Sequence, residues 1–262
     1  MRQAMKHRLL LLIIALIATT ITATAQPKPQ HVLAFYSTNV EFDHVTFAQQ
    51  AITFFSTLAP RDHFDFTATT NWDDLNPDRL KDVQLVLWLD EFPHTPAQRT
   101  AFEQYMRHGG GWLGFHIAAY NDADTHWPWL LDFLGGTVFD SNNWPPLPAI
   151  LDVDDPTSPI TRHIPHHLAS PANEWYIWKP SPRLNKDVEV LLTLSPSNYP
   201  LGLKDVITGG DLPVVWTNTR YRMLYMNMGH GDRVFSSDVQ NQLFENAVLW
   251  IGGVKAPIKA RQ

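Results

Sequence analysis

Apolar residues gather in short, nearly continuous runs at four places in the first half of the chain: His31–Ser37, Phe64–Thr69, Val83–Leu89 and Trp112–Phe115. Each is bounded by turn-forming residues. The third and fourth hardly alternate, which is the pattern of strands covered on both faces, so they are read as central strands of a parallel sheet. Between the first two runs, Val45, Ala48, Ile52 and Phe55 recur at helical spacing. Between the third and fourth, Thr95-Pro96-Ala97-Gln98 makes a capping box with proline at the first helical position, and Gly109 ends that helix.

The middle of the chain is less periodic. Trp127–Leu134 reads as a short helix. The stretch from Asn142 to Pro182, rich in proline, tryptophan and histidine, reads as a long functional insertion with one strand at Ala149–Val153. Regular strands return at Val188–Leu194, Pro213–Thr217 and Met223–Met228, and a helix from Ser237 to Trp250 closes the chain behind a second capping box, Ser237-Asp238-Val239-Gln240. Strands alternating with helices predict a single α/β domain over residues 26–253 and a short tail over 254–262.

The first 25 residues stand apart from this pattern. Arg2, Lys6 and Arg8 precede an apolar run from Leu9 to Ala18, and Ala23-Thr24-Ala25 supplies small residues for cleavage before Gln26. This is the layout of an export signal, predicting a periplasmic or secreted protein. The apolar run is shorter than the roughly 20 residues that cross a bilayer, so no stable membrane span is expected after signal removal. Losing three cations takes the formal net charge from −6 to −9. That balance repels a phosphate backbone and argues against nucleic acid as a partner. The 262 residues contain no cysteine, which excludes disulfides, thiolate metal sites and cysteine nucleophiles.

In an open parallel sheet the ligand crevice lies beyond the carboxyl ends of the strands. Asn39, Glu41, Asp43 and His44 follow the first predicted strand; Asp90, Glu91 and His94 follow the third; His116 ends the fourth; Gly229-His230 ends the last. Gly109-Gly110-Gly111-Trp112-Leu113-Gly114-Phe115-His116-Ile117-Ala118 has the layout of a nucleophile elbow with histidine at its apex. Glu174 lies in the aromatic segment Trp175-Tyr176-Ile177-Trp178, where partial desolvation would raise its pKa. His163 and His167 have the spacing of a helical metal pair, but Pro165 between them disfavours the helix. Ten tryptophans is a high count, and several, Trp72, Trp127, Trp144, Trp175 and Trp178, fall in segments that read as loops, where they could stack on a sugar.

The same segments, Gly109 to Ala118, Asn173-Glu174-Trp175-Tyr176, Pro213-Val214-Val215-Trp216 and Met228-Gly229-His230 with the closing helix, resemble the ThuA-like (trehalose utilisation) family over about residues 30 to 252. The resemblance implies a flavodoxin-like three-layer sandwich with a mostly parallel central sheet, akin to class I glutamine amidotransferases but with histidine in place of the elbow cysteine. It also implies a role in bacterial carbohydrate metabolism involving disaccharides and keto-sugars. Two histidines usual in the family are missing: Gly135-Gly136 is followed by Asp140-Ser141-Asn142-Asn143, and Ser158-Pro159-Ile160-Thr161 stands where His-Pro-Ile-Thr is usual. The first departure argues against a metal-binding version of the site.

The expected activity is proton transfer next to the carbonyl of a sugar or keto-sugar, with His116, His230 and Glu174 as catalytic residues. His44, Asp90, Glu91, Asn142, Trp144, Trp175 and Tyr176 are the expected sugar-binding set, and no metal or cofactor is assigned. The alternatives are a carbohydrate-binding module without turnover, and a metal-assisted lyase or hydrolase using His44, His116 and His230. Neither a phosphate loop nor a dinucleotide fingerprint occurs.

Overall fold

The computed structural model of the chain describes residues 30–122 and 124–253. The predicted export signal and the C-terminal tail lie outside the described residues. The strands are β1 (Gln30–Phe35), β2 (Phe64–Thr69), β3 (Leu85–Leu89), β4 (Gly111–Phe115), β5 (Val138–Asn142) and β6 (Leu147–Val153), then β7 (His167–Asn173), β8 (Tyr176–Lys179), β9 (Val188–Leu194), β10 (Pro213–Asn218) and β11 (Arg222–Met226). The helices are α1 (Phe42–Asp62), α2 (Pro77–Leu80), α3 (Pro96–Arg107), α4 (Pro128–Phe133) and α5 (Asp238–Gly252).

Residue alternation along the central strands builds two cores back to back. Val32 and Ala34 of β1, Leu85 and Leu87 of β3 and Leu113 and Phe115 of β4 face one side; Leu33 and Phe35, Val86 and Trp88, and Trp112 face the other. Helices α1 and α5 cover the first core; α2, α3, α4 and the β5–β8 pair cover the second. The result is the expected α/β sandwich. Its sheet runs β2-β1-β3-β4-β11-β10-β9-β6-β7, with the first five strands mutually parallel and the last four added antiparallel. Among the described residues no helix is long and apolar enough to cross a membrane.

The stretch from Asn142 to Pro182 holds more regular structure than its composition predicts: β6, β7 and β8 all lie in it. β7 carries Pro171 without penalty because it is the outermost strand, where one side needs no ladder bonds. The Thr95 capping box is present, with Thr95 and Gln98 bonded reciprocally. At Ser237 only half of the expected box forms. The Ser237 hydroxyl accepts from Gln240 N–H, but the Gln240 side chain turns away to donate to Val234 O and accept from the Ser170 hydroxyl.

Candidate functional site

Three adjacent parallel strands, β3, β4 and β11, deliver their successors to one rim of the sheet. Asp90 follows β3 and His116 follows β4. Both adopt left-handed backbone conformations, with φ of 60° and 49°. Such residues cost about 1–2 kcal/mol each, and their neighbours hold them in place. Asp90 Oδ1 accepts the Ile117 N–H at 3.0 Å, tying the two turns together. The His116 carbonyl accepts the buried Tyr225 hydroxyl at 2.9 Å. Gly229 packs so closely on His116 that a Cβ there would collide with the histidine's own Cβ. The elbow expected at Gly109–Ala118 is therefore present in form, with His116 opening a tight turn over residues 116–119.

His116 Nδ1–H donates to Asn227 O at 2.8 Å, because a carbonyl can only accept. That leaves Nε2 to accept the Tyr176 hydroxyl at 2.8 Å. His44 comes from the first turn of α1, which begins earlier than its spacing predicted, and His230 comes from the loop after β11. The three imidazole rings form a nearly equilateral triangle, with centroids 5.5 Å (His44–His116), 5.2 Å (His44–His230) and 5.5 Å (His116–His230) apart. Glu174, at the junction of β7 and β8, places Oε2 3.7 Å from Nε2 of His116 and 3.7 Å from Nε2 of His230. Glu174 is free of Lys179 and Arg183, the cations nearest in sequence, since Lys179 pairs with Asp140 and Arg183 with Asp154 and Asp211.

Burial dominates the electrostatics. It pushes His116 well below the usual histidine pKa, with the charge of His44 acting in the same direction. It also lowers His44 and His230, each further lowered by a neighbouring imidazole. Desolvation lifts the Asp90 carboxyl well above its ordinary value against the opposing bond from Ile117. It raises Glu174 too, with His230 pulling the other way. A set of neutral imidazoles beside a carboxyl with raised pKa is suited to moving protons near neutrality.

The structure thus brings together His44, Asp90, His116, Glu174, Tyr176 and His230. The other expected residues go elsewhere. Glu91 is buried but turns back on its own loop, accepting Phe92 N–H and lying 3.2 Å from His94. Asn142 bonds to Asn143 O. Trp144 is 42% exposed, and its contacts run to Leu203, Lys204 and Asp205. Trp175 is sealed in the core with its indole N–H on Leu147 O, so it offers no face to a sugar. Trp127 and Trp178 are buried as well, and Trp72 packs on Phe35 and Trp88, which removes most of the expected stacking platform. His167 pairs with Asp152 across β6 and β7.

Several residues of the site were given no role by the sequence: Asn173 stood there only within the family motif, Glu41 and Asp43 only as acids after the first strand, and Asn227 not at all. Asn173 Oδ1 accepts both Gly229 N–H (3.0 Å) and His230 N–H (2.9 Å), and so sets the position of His230. Asn227 Oδ1 accepts Tyr176 N–H at 3.0 Å while its carbonyl orients His116. Glu41 and Asp43 frame the mouth. Glu41 lies 3.8 Å from His44 Nε2 and 3.7 Å from His230 Nε2, and Asp43 lies 3.8 Å from His230 Nδ1. Between them Phe42 is 79% exposed. Two overlapping ligand sets have the compactness to hold a metal ion: Glu41 with His44 and His230, and His44 with Asp90 and His116.

The family model described as trehalose utilisation (ThuA) matches residues 31–251 of the chain. A crystal structure of a ThuA-like protein from Bacteroides uniformis is 51% identical over 88% of this chain and 94% of that one, with a TM-score of 0.84. A ThuA-like protein from Parabacteroides merdae superimposes with a TM-score of 0.63 at 14% identity, covering 90% of this chain and 94% of that one. A β-galactosidase from Bacillus circulans does so with a TM-score of 0.53 at 10% identity, covering 89% of this chain but 32% of that one. The last two speak to the fold alone. None of the curated proteins matches the chain.

Proposed function

We propose, from the premise that this chain belongs to the ThuA trehalose-utilisation family, that it is an enzyme acting on a sugar or keto-sugar by proton transfer beside a carbonyl. One observation carries the reading: the Glu174 carboxyl sits 3.7 Å from an imidazole nitrogen of both His116 and His230, under a mouth framed by Glu41 and Asp43. In this reading Glu174, the least buried of the three, takes the proton from the carbon next to the carbonyl. His230 and His44 then offer polar nitrogens to the oxygen on which charge develops. His116 is fully buried and already bonded on both nitrogens, so its part is to position Glu174 and His230 rather than to touch the sugar. Phe42 supplies an exposed aromatic face at the mouth for a pyranose ring.

The test is deuterium exchange. The purified chain is incubated in D2O with a panel of keto-disaccharides, and exchange at the carbon beside the carbonyl is followed by NMR. The wild type should exchange, and Glu174→Gln should lower the rate at least about 100-fold with an unchanged circular dichroism spectrum. Absence of exchange and of turnover across the panel would overturn the reading. Release from the cytoplasm belongs to the same proposal, and N-terminal sequencing of the protein recovered outside it should begin at Gln26.

A further inference from the structure

His44 and His230 are more than nine-tenths buried and yet leave imidazole nitrogens without a hydrogen-bond partner: Nε2 of His44 and both nitrogens of His230, with Oδ2 of Asp90 in the same state. An orphaned buried polar group costs about 1–3 kcal/mol, so several on facing side chains mark a place built for something else. Their nearest polar neighbours are carboxylate oxygens at an unusual separation. Glu41 Oε2 is 3.8 Å from His44 Nε2, Glu41 Oε1 is 3.7 Å from His230 Nε2, and Glu174 Oε2 is 3.7 Å from the same His230 nitrogen. These distances are too long for hydrogen bonds. They lie near the separation of two donors that share one small cation, since bonds of about 2.0–2.2 Å at tetrahedral angles place donors about 3.4 Å apart. The ligand atoms of Glu41, His44 and His230 all lie within 4.8 Å of one another, so side-chain movements of up to about 1.4 Å would gather them around one ion at the separation that tetrahedral bonding sets.

We propose that His44 Nε2, His230 Nε2 and the Glu41 carboxylate form a binding site for a divalent first-row transition cation, with Glu174 beside it and free of it. Two imidazoles and carboxylate oxygens without a thiolate suit Zn²⁺, Mn²⁺, Fe²⁺ or Co²⁺ rather than Cu⁺. Asp43 Oδ2 lies 3.8 Å from His230 Nδ1, so a shift of about 1 Å on metal binding would bring it into the hydrogen bond by which carboxylates orient metal-bound histidines. His116 stays outside the set, because its Nε2 accepts Tyr176 and its Nδ1 donates to Asn227. The ligands come from the start of α1, including its N-cap Glu41, and from the loop after β11, so the family histidines missing after Gly136 and at Ser158 are not needed. The site stands without the sugar assignment; if both hold, the cation would take over from the His44 and His230 nitrogens the polarising of the carbonyl oxygen, and Glu174 would remain the base.

The purified chain, stripped with chelator and dialysed, is titrated with Co²⁺ by calorimetry and visible absorption, and then with Zn²⁺ as competitor. The expected result is one Co²⁺ per chain, d–d absorption of a low-coordinate nitrogen and oxygen site, and its loss on adding Zn²⁺. His44→Ala and His230→Ala should each weaken binding at least 100-fold. Glu41→Gln, on an exposed side chain whose replacement leaves the core intact, should weaken it at least 10-fold. No saturable binding by the wild type, or binding unchanged in both Glu41→Gln and His44→Ala, would overturn the proposal. No sugar enters this titration, so its failure leaves the exchange experiment to decide the enzymatic reading separately.

Discussion

At the scale of single residues, the histidine with the clearest sequence signature does the least exposed work. His116 is locked by Asn227 on one nitrogen and Tyr176 on the other. Tyr176→Phe removes the donor and strands a buried nitrogen, so it should lower unfolding free energy by about 1–3 kcal/mol in urea denaturation and slow sugar exchange as Glu174 and His230 lose their backing. Asp90 presents the opposite case. Its Oδ2 is buried without a partner and its carboxyl resists ionisation. Asp90→Asn keeps an acceptor for Ile117 N–H and should leave the chelator-treated protein at least as stable at pH 7, by up to about 2 kcal/mol in the same assay. His116, His230 and Glu174 were legible because they follow strands or sit in an aromatic run. The roles of Asn173, present only as part of the family motif, and of Asn227 were not, because their work is done on backbone N–H and carbonyl groups, and an asparagine at a strand end gives no sign of which backbone atoms it will meet.

At the scale of elements, the elbow depends on close approach. Gly229 lies against His116, and Gly114 lies under the ring of Trp112, so a methyl group at either position meets another side chain. Gly229→Ala should cost about 1–3 kcal/mol of stability in thermal denaturation and displace His116. Gly114→Ala should cost a similar amount but act through the Trp112 core rather than the site. The first four strands, α3 with its capping box and the closing helix were readable from periodicity, since buried parallel strands are apolar throughout and capped helices carry local signals. β7 and β8 were hidden by proline and by polar residues that an outermost strand and a two-stranded ribbon tolerate. The same irregularity made Trp175 and Trp178 look like loop residues, although both point into the cores.

For the molecule as a whole, the imidazole cluster ties stability to pH. Burial holds His116 far below its ordinary value of 6.5, and His44 and His230 shift in the same direction. The unfolded chain takes up protons near pH 6.5, whereas the folded one takes them up only at lower pH. The stabilisation is therefore complete above about pH 6.5 and drains away as the pH falls through the folded-state values. The raised Asp90 and Glu174 carboxyls pull the other way as the pH falls, so the informative comparison is between variants: in the chelator-treated protein, His116→Gln should lose less of its denaturation midpoint than the wild type between pH 7 and pH 5.

The position of β11 carries a consequence for how the chain comes into being. The strand is among the last elements in sequence, yet it is wedged between β4 and β10 at the heart of the sheet, and the loop after it brings His230. A polypeptide still emerging from the ribosome has a gap down its middle and no complete cluster, however much of its first half is already ordered. The imidazole cluster is therefore completed in one late step, when β11, the loop that carries His230 and α5 join the sheet.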